Sequence, residues 1–106
     1  MKKTLLIFAF MLISCAKEEA FEVEINIKDH YFSPAQLIVP VDKRIRIKIN
    51  NLDDSAEEFE SYDLNREKIV AGKGHIFVVV GPLLKGEYKF FGEFHEATAQ
   101  GKLIVE

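Results

Sequence analysis

Ile45-Arg46-Ile47-Lys48-Ile49 alternates an apolar β-branched residue with a cationic one at every step. Alternation with period two places one residue type on each face of a strand. The stretch therefore predicts a half-buried strand, with isoleucines inward and Arg46 and Lys48 in water. Phe21, Val23, Ile25 and Ile27 alternate in the same way with Glu22, Glu24, Asn26 and Lys28. A helix would need apolar residues three and four apart, and no segment after residue 20 supplies them convincingly. One turn of helix near Tyr62 to Arg66 is the exception to consider.

Further strands are predicted at 36–39, 57–62, 67–70, 75–80, 87–91 and 102–105. Pro40, Asn50 to Ser55, Gly72-Lys73-Gly74, Gly81-Pro82 and Lys85-Gly86 punctuate them as turns. Residues 29–34 read as an aromatic-bearing loop. Seven or eight short strands at this spacing predict an all-β, antiparallel sandwich around a single core. Nearly all of the nine phenylalanines are expected in that core or capping it.

The first residues belong to a different kind of segment. Met1-Lys2-Lys3 is basic, and Leu5 to Ile13 is an apolar run too short to span a bilayer as a helix. The run leads into Leu12-Ile13-Ser14-Cys15, the form of a bacterial lipobox. Small residues there suit a signal peptidase, and the thiol is the acceptor for lipid. Residues 1–14 are thus expected to be a lipoprotein signal peptide, 15–20 a lipidated tether and 21–106 the folded domain. Acyl chains on Cys15 would hold the chain on a membrane, since each buried methylene contributes about 0.8 kcal/mol. Ala16 is not an inner-membrane retention signal. The expected location is the periplasmic cell envelope, lipid-anchored, at the outer membrane.

Cleavage would leave 12 basic against 17 acidic side chains, and no thiol beyond the lipidated one. An acidic domain without a basic patch is a poor nucleic-acid binder, so cations are the better partners. No Ser/His/Asp arrangement, phosphate-binding Gly loop or paired catalytic carboxylates stand out. An enzymatic role is not expected beyond assisting metal oxidation.

Two stretches carry a family resemblance. "FSPAQLIVPVDKRIRIKINN" resembles the opening of cupredoxins, and "GPLLKGEYKFFGEFHEATAQGKLIV" resembles their closing hairpin. Between them, "EEFESYDLNREKIVAGKG" is similar to the EfeO-type cupredoxin-like domain, whose small periplasmic members accompany bacterial iron-uptake permeases. The resemblance covers Phe32 to Val105. It implies a cupredoxin-like Greek-key β-sandwich and a partner such as an iron permease or another periplasmic protein.

A blue-copper centre uses a Cys thiolate, two His and a weak axial ligand such as Met. Against that pattern, the thiolate place falls at or near Gly92 and the Met place near Thr98. The first His place falls at Glu58, and only His95 survives. Met1 and Met11 are the only methionines. Glu58 and Glu60 share strand parity, as do Glu93 and His95, while Phe59 points into the core. In the implied fold the two pairs meet at one end of the sandwich. Glu58, Glu60, Glu93 and His95 are therefore the expected ligands of one copper or iron ion, in a harder site than blue copper. The resemblance also implies an acidic residue before Glu93, where Gly92 stands.

His30 reads as a surface histidine away from that site, and His75 as an exposed strand end. Asp53 and Asp54 read as turn residues. Glu67 and Lys68 suit either an ion pair or a docking surface. Three functions follow in falling order: a metal-binding accessory of iron (or copper) uptake, a metal-free docking module for a permease or periplasmic partner, and an independent metallo-oxidase, which a single mononuclear site without Cys leaves with no evident electron exit.

Overall fold

The computed structural model describes residues 19–106. The expected signal peptide, Cys15 and most of the tether lie outside the described residues. Nine strands follow in order: β1 (Phe21–Lys28), β2 (Tyr31–Ser33), β3 (Gln36–Val39), β4 (Ile45–Asn51), β5 (Glu57–Ser61), β6 (Arg66–Val70), β7 (His75–Val80), β8 (Gly86–Phe91) and β9 (Gln100–Val105). A 3-10 turn, Glu93–His95, stands between the last two. One sheet has the order β2-β1-β4-β7 and the other β3-β9-β8-β5-β6. The all-β sandwich is as expected. Residues 62–65 form a turn closed by Asn65 N donating to Tyr62 O at 3.2 Å, not a helix.

The expected antiparallel arrangement needs correction, because β1 pairs parallel with β4 and β3 parallel with β9. The chain crosses from one sheet to the other between β2 and β3, and back between β3 and β4. The second crossing sets β4 alongside β1 running the same way, and β3 gains its parallel neighbour only when β9 arrives at the end of the chain. The loop expected at 29–34 also contains a strand. Asp29 and His30 both have positive φ, at 53° and 66°, and Lys28 pairs with Tyr31. That is the two-residue turn that matches strand twist and closes a β1–β2 hairpin.

The isoleucine alternation packs as the sequence predicts. Ile25, Ile27, Ile45, Ile47 and Ile49 are fully buried between the sheets. Phe32, Phe59 and Phe90 form an aromatic cluster, with ring centroids 5.0 to 6.4 Å apart. Most of the other aromatics depart from expectation. Phe21 and Phe94 are exposed, and Phe77 and Phe91 are half-buried. Phe91 has the opposite parity to Phe90, and Phe77 lies outside under the Arg46 guanidinium, 3.8 Å from its ring centroid. Phe8 and Phe10 lie outside the described residues.

Strand direction fixes what meets where. β1 and β4 end, and β5 and β7 begin, at the pole that also holds the 3-10 turn. The aromatic cluster floors that pole.

Candidate metal centre

Strand β5 sends consecutive residues to opposite faces. Phe59 points into the core, so Glu57 shares its direction and enters the mouth of the sandwich. Glu58 and Glu60 point to the outer face of their sheet. Glu57 and Glu58 are nevertheless both buried, at 1% and 2% exposure. The mouth encloses the first, and the 3-10 turn covers the second.

Inside the mouth, Glu57 meets two histidines. Its Oε2 lies 2.7 Å from His30 Nδ1 and its Oε1 lies 3.1 Å from His95 Nδ1. The two imidazoles stack with centroids 3.5 Å apart. His30 is set there by its neighbours. Asp53 accepts hydrogen bonds from the backbone N–H of Asp29 at 2.7 Å and of His30 at 3.1 Å. Asp53 is itself placed by buried Asn51, whose Oδ1 accepts from Asp53 N at 2.9 Å. Asn51 Nδ2 donates to the carbonyls of Ser55, Val70 and Ala71. Thr98 completes the frame by donating to His30 O at 2.5 Å.

Outside the mouth, carboxylate oxygens of Glu58, Glu60, Glu67 and Glu93 all lie within 4.8 Å of one another. Glu60 pairs across from Glu67 on β6 and from Phe91 on β8. Glu93 N donates to Glu58 Oε1 at 2.8 Å, which ties the 3-10 turn to β5. Gly92 permits this approach. A Cβ there would stand 2.8 Å from Glu58 O and 3.0 Å from Ala99 Cβ. The acidic residue implied at that place would not fit.

The electrostatics reflect crowding. Burial pushes Glu58 up to about 7, reinforced by Glu67, Glu60 and Glu93 and opposed by the Glu93 N–H. Burial also raises Glu60, with the charges of Glu67 and Glu93 adding to it. Glu60 Oε1 is buried without a hydrogen-bond partner. The charge on Glu60 is the main cause that raises Tyr62, with burial and further carboxylates helping. The Glu57 hydrogen bond raises His30 against the effect of burial. Burial alone would raise Asp53, but the Asp29 and His30 N–H groups outweigh it and hold it low.

The four residues expected to form one site therefore divide. Glu58, Glu60 and Glu93 converge with Glu67, whereas His95 joins His30 and Glu57. His30 is not a surface residue remote from the site, because the β1–β2 hairpin carries it onto the His95 ring. Glu57 is a further member of the site, on the inward parity that it shares with Phe59. Among the described residues Glu67 has no ion-pair partner, and it lies opposite Glu60 on the neighbouring strand. Lys68 instead donates to Phe77 O at 3.0 Å, joining the β6 and β7 edges. His75 is an exposed strand end, as expected.

Comparison with known proteins decides the family. The model of the cupredoxin-like domain matches residues 3–105. The chain belongs to the cupredoxin-like family. The uncharacterized protein RP394 of Rickettsia prowazekii (strain Madrid E) is 50% identical over 88 residues, covering 83% of this chain and 70% of the relative. Similar folds include the metal-binding domain of the Streptococcus pneumoniae D39 Cu(I)-exporting P-type ATPase CopA with Cu(I). That match has a TM-score of 0.73 and 13% identity, over 86% of this chain and 91% of the other. The blue copper protein auracyanin A from Chloroflexus aurantiacus gives 0.70 at 15% identity, over 83% and 100%. The purple cupredoxin from Nitrosopumilus maritimus gives 0.63 at 19% identity, over 83% and 100%.

This cupredoxin-like domain does not fit a blue-copper centre. Gly92 has no thiolate and no room for one, and the Thr98 hydroxyl is engaged with His30 O. The donors present are carboxylates and imidazoles, which fit harder ions.

Proposed function

We propose that this is a metal-ion-binding protein of the bacterial cell envelope, holding its cation at the carboxylate- and imidazole-rich pole. One observation carries the reading. Glu57 and Glu58 are adjacent, both almost wholly buried, and each sits at the centre of a separate donor cluster. Burying carboxylates beside further carboxylates costs several kcal/mol unless charge is compensated. A bound cation offsets that cost. Glu58, Glu60, Glu67 and Glu93 offer oxygen alone and suit a hard ion such as Fe(III). His30, Glu57 and His95 suit Cu(II).

Such an ion, when bound, supplies positive charge and Lewis acidity. The protein's own residues do the positioning. Asp53 fixes the hairpin that carries His30, and the Glu93 N–H orients Glu58. The copper named in proteins of the same fold supports a metal role. The resemblance to EfeO-type domains supports a place in iron (or copper) uptake beside a permease. The lipobox supports anchoring at Cys15 in the periplasmic face of the envelope, at the outer membrane.

A metal-free docking module is the second reading. It is favoured by the His30–Glu57–His95 trio, in which each Glu57 carboxylate oxygen already meets an imidazole Nδ1 without an ion. The test is titration of Cu(II) and Fe(III) into the detergent-purified full chain, its His95→Ala variant and its Glu58→Gln variant. We expect His95→Ala to weaken Cu(II) and Glu58→Gln to weaken Fe(III). Affinities unchanged in both variants would leave the docking module standing.

A further inference from the structure

The pole opposite the metal end is built differently. β1 runs from Phe21 to Lys28, so at about 3.3 Å per residue its ends lie about 23 Å apart. His30 follows the far end. The near end gathers Phe21 with the 40–44 and 81–85 loops. Phe21 N donates to Arg44 O at 2.7 Å, and Asp42 N donates to Leu83 O at 3.1 Å. Gly81 has a φ of 89°, and a Cβ there would stand 2.7 Å from Lys43 O. These contacts make the three segments one defined surface.

That surface presents apolar side chains to solvent. Leu84 is 77% exposed, Phe21 40% and Val41 38%. Arg44 and Lys85 are exposed beside them, and Asp42 and Glu106 share the pole. The opposite pole carries the crowded carboxylates Glu57, Glu58, Glu60, Glu67 and Glu93. The molecule is thus polarised, with a strongly anionic end and an end where apolar groups stand among cations.

Phe21 is also where the chain arrives. Only residues 16–20 separate it from Cys15, and those six steps reach at most about 20 Å. With Cys15 acylated, the apolar pole is held next to the bilayer. We propose that this pole is a membrane-contact surface. Leu84, Val41 and Phe21 enter the lipid interface, and Arg44 and Lys85 meet anionic headgroup phosphates. The metal end faces away from the membrane. The proposal rests on acylation of Cys15.

The chain has no tryptophan, so a single one reports its own surroundings. Leu84→Trp and Phe94→Trp place the reporter at opposite poles. Each full chain is purified from membranes and reconstituted in phosphatidylethanolamine/phosphatidylglycerol vesicles, with or without brominated acyl chains. Mass spectrometry reads the state of Cys15. We expect an acylated protein in which Leu84→Trp emission shifts to the blue and is lost to bromine, while Phe94→Trp emission is kept. Acylated protein with unquenched Leu84→Trp overturns the proposal and leaves the anchor intact. A blue shift without bromine quenching shows that a second copy or another protein covers the pole, and also overturns it. An unmodified Cys15 removes the anchor and the proposal together.

Discussion

His30 and His95 stack with ring planes 12° apart, and both direct Nδ1 at the one carboxylate of Glu57. Two cationic rings stacked this closely would repel each other. One positive ring against one carboxylate is the balanced state. His30 carries the raised affinity for a proton, chiefly through its hydrogen bond to Glu57. Glu57→Gln should bring the His30 titration down toward its ordinary 6.5. The imidazole resonances followed by NMR against pH will show it. An unmoved His30 midpoint would mean that Glu57 is not the cause.

Glu58 gives the domain an unusual pH dependence. Its folded value of about 7 lies above the ordinary 4.5, so the folded state binds the extra proton between them. Stability from this group is full below 4.5 and is lost as pH rises through 7. The loss is about 3 kcal/mol at most. His30, also raised, acts in the same direction at higher pH. With chelator present, the melting temperature should fall from pH 5.5 to pH 8, and Glu58→Gln should flatten much of that fall. A melting temperature that rises over this range would contradict the assignment.

Much of this was legible from alternation. Ile45 to Ile49 and Phe21 to Ile27 specified two strands and their inward faces, because period two has a single reading on a half-buried sheet. The site was harder. Glu58 and Glu60 were matched by their common parity, but Glu67 joins them only through the β5–β6 pairing, which no local pattern declares. His30 was hidden by its turn. Asp29-His30 lacks the glycine that advertises a two-residue hairpin, and the strain is met by Asp53, far along the chain. Gly92 read as a missing ligand, whereas its smallness is what admits the backbone of Glu58.

The Asn51–Asp53 relay supplies a test of that last frame. Asn51→Leu leaves the carbonyls of Ser55, Val70 and Ala71 without their donor, and unmet buried groups cost about 1–3 kcal/mol. Asp53→Ala frees the N–H groups of Asp29 and His30 while leaving those carbonyls served. We expect Asn51→Leu to lower denaturant stability by about 2 kcal/mol. Asp53→Ala should lower stability less, yet disorder the His30 ring, seen as loss of NMR contacts between His30 and His95. Preserved ring contacts in Asp53→Ala would show that the stack and Thr98 hold His30 unaided.

Anchoring has its own readout. Cys15 is the only cysteine, so Cys15→Ser removes the single site for thioether-linked lipid. Labelled palmitate should enter the parent chain and not the variant, and the variant should remain uncleaved or appear in the soluble fraction. Equal incorporation in both would exclude lipidation at this residue.

Copper spectroscopy distinguishes the two clusters by ligand type. A Cu–thiolate bond is the source of intense blue colour, and no thiolate is available in the folded domain. A Cu(II) adduct should therefore be pale, with an ordinary tetragonal spectrum. If the ion sits between His30, Glu57 and His95, electron paramagnetic resonance should show nitrogen couplings from two imidazoles. His30→Ala should leave one. If it sits among Glu58, Glu60, Glu67 and Glu93, no imidazole coupling should appear in either protein. Acid should weaken binding at either place, because imidazoles and carboxylates must lose their protons to coordinate. The trio is the expected copper site because imidazole suits Cu(II) well, while the four carboxylates suit a harder ion. Two nitrogen couplings that persist unchanged in His30→Ala would place copper elsewhere and remove the trio from the metal site.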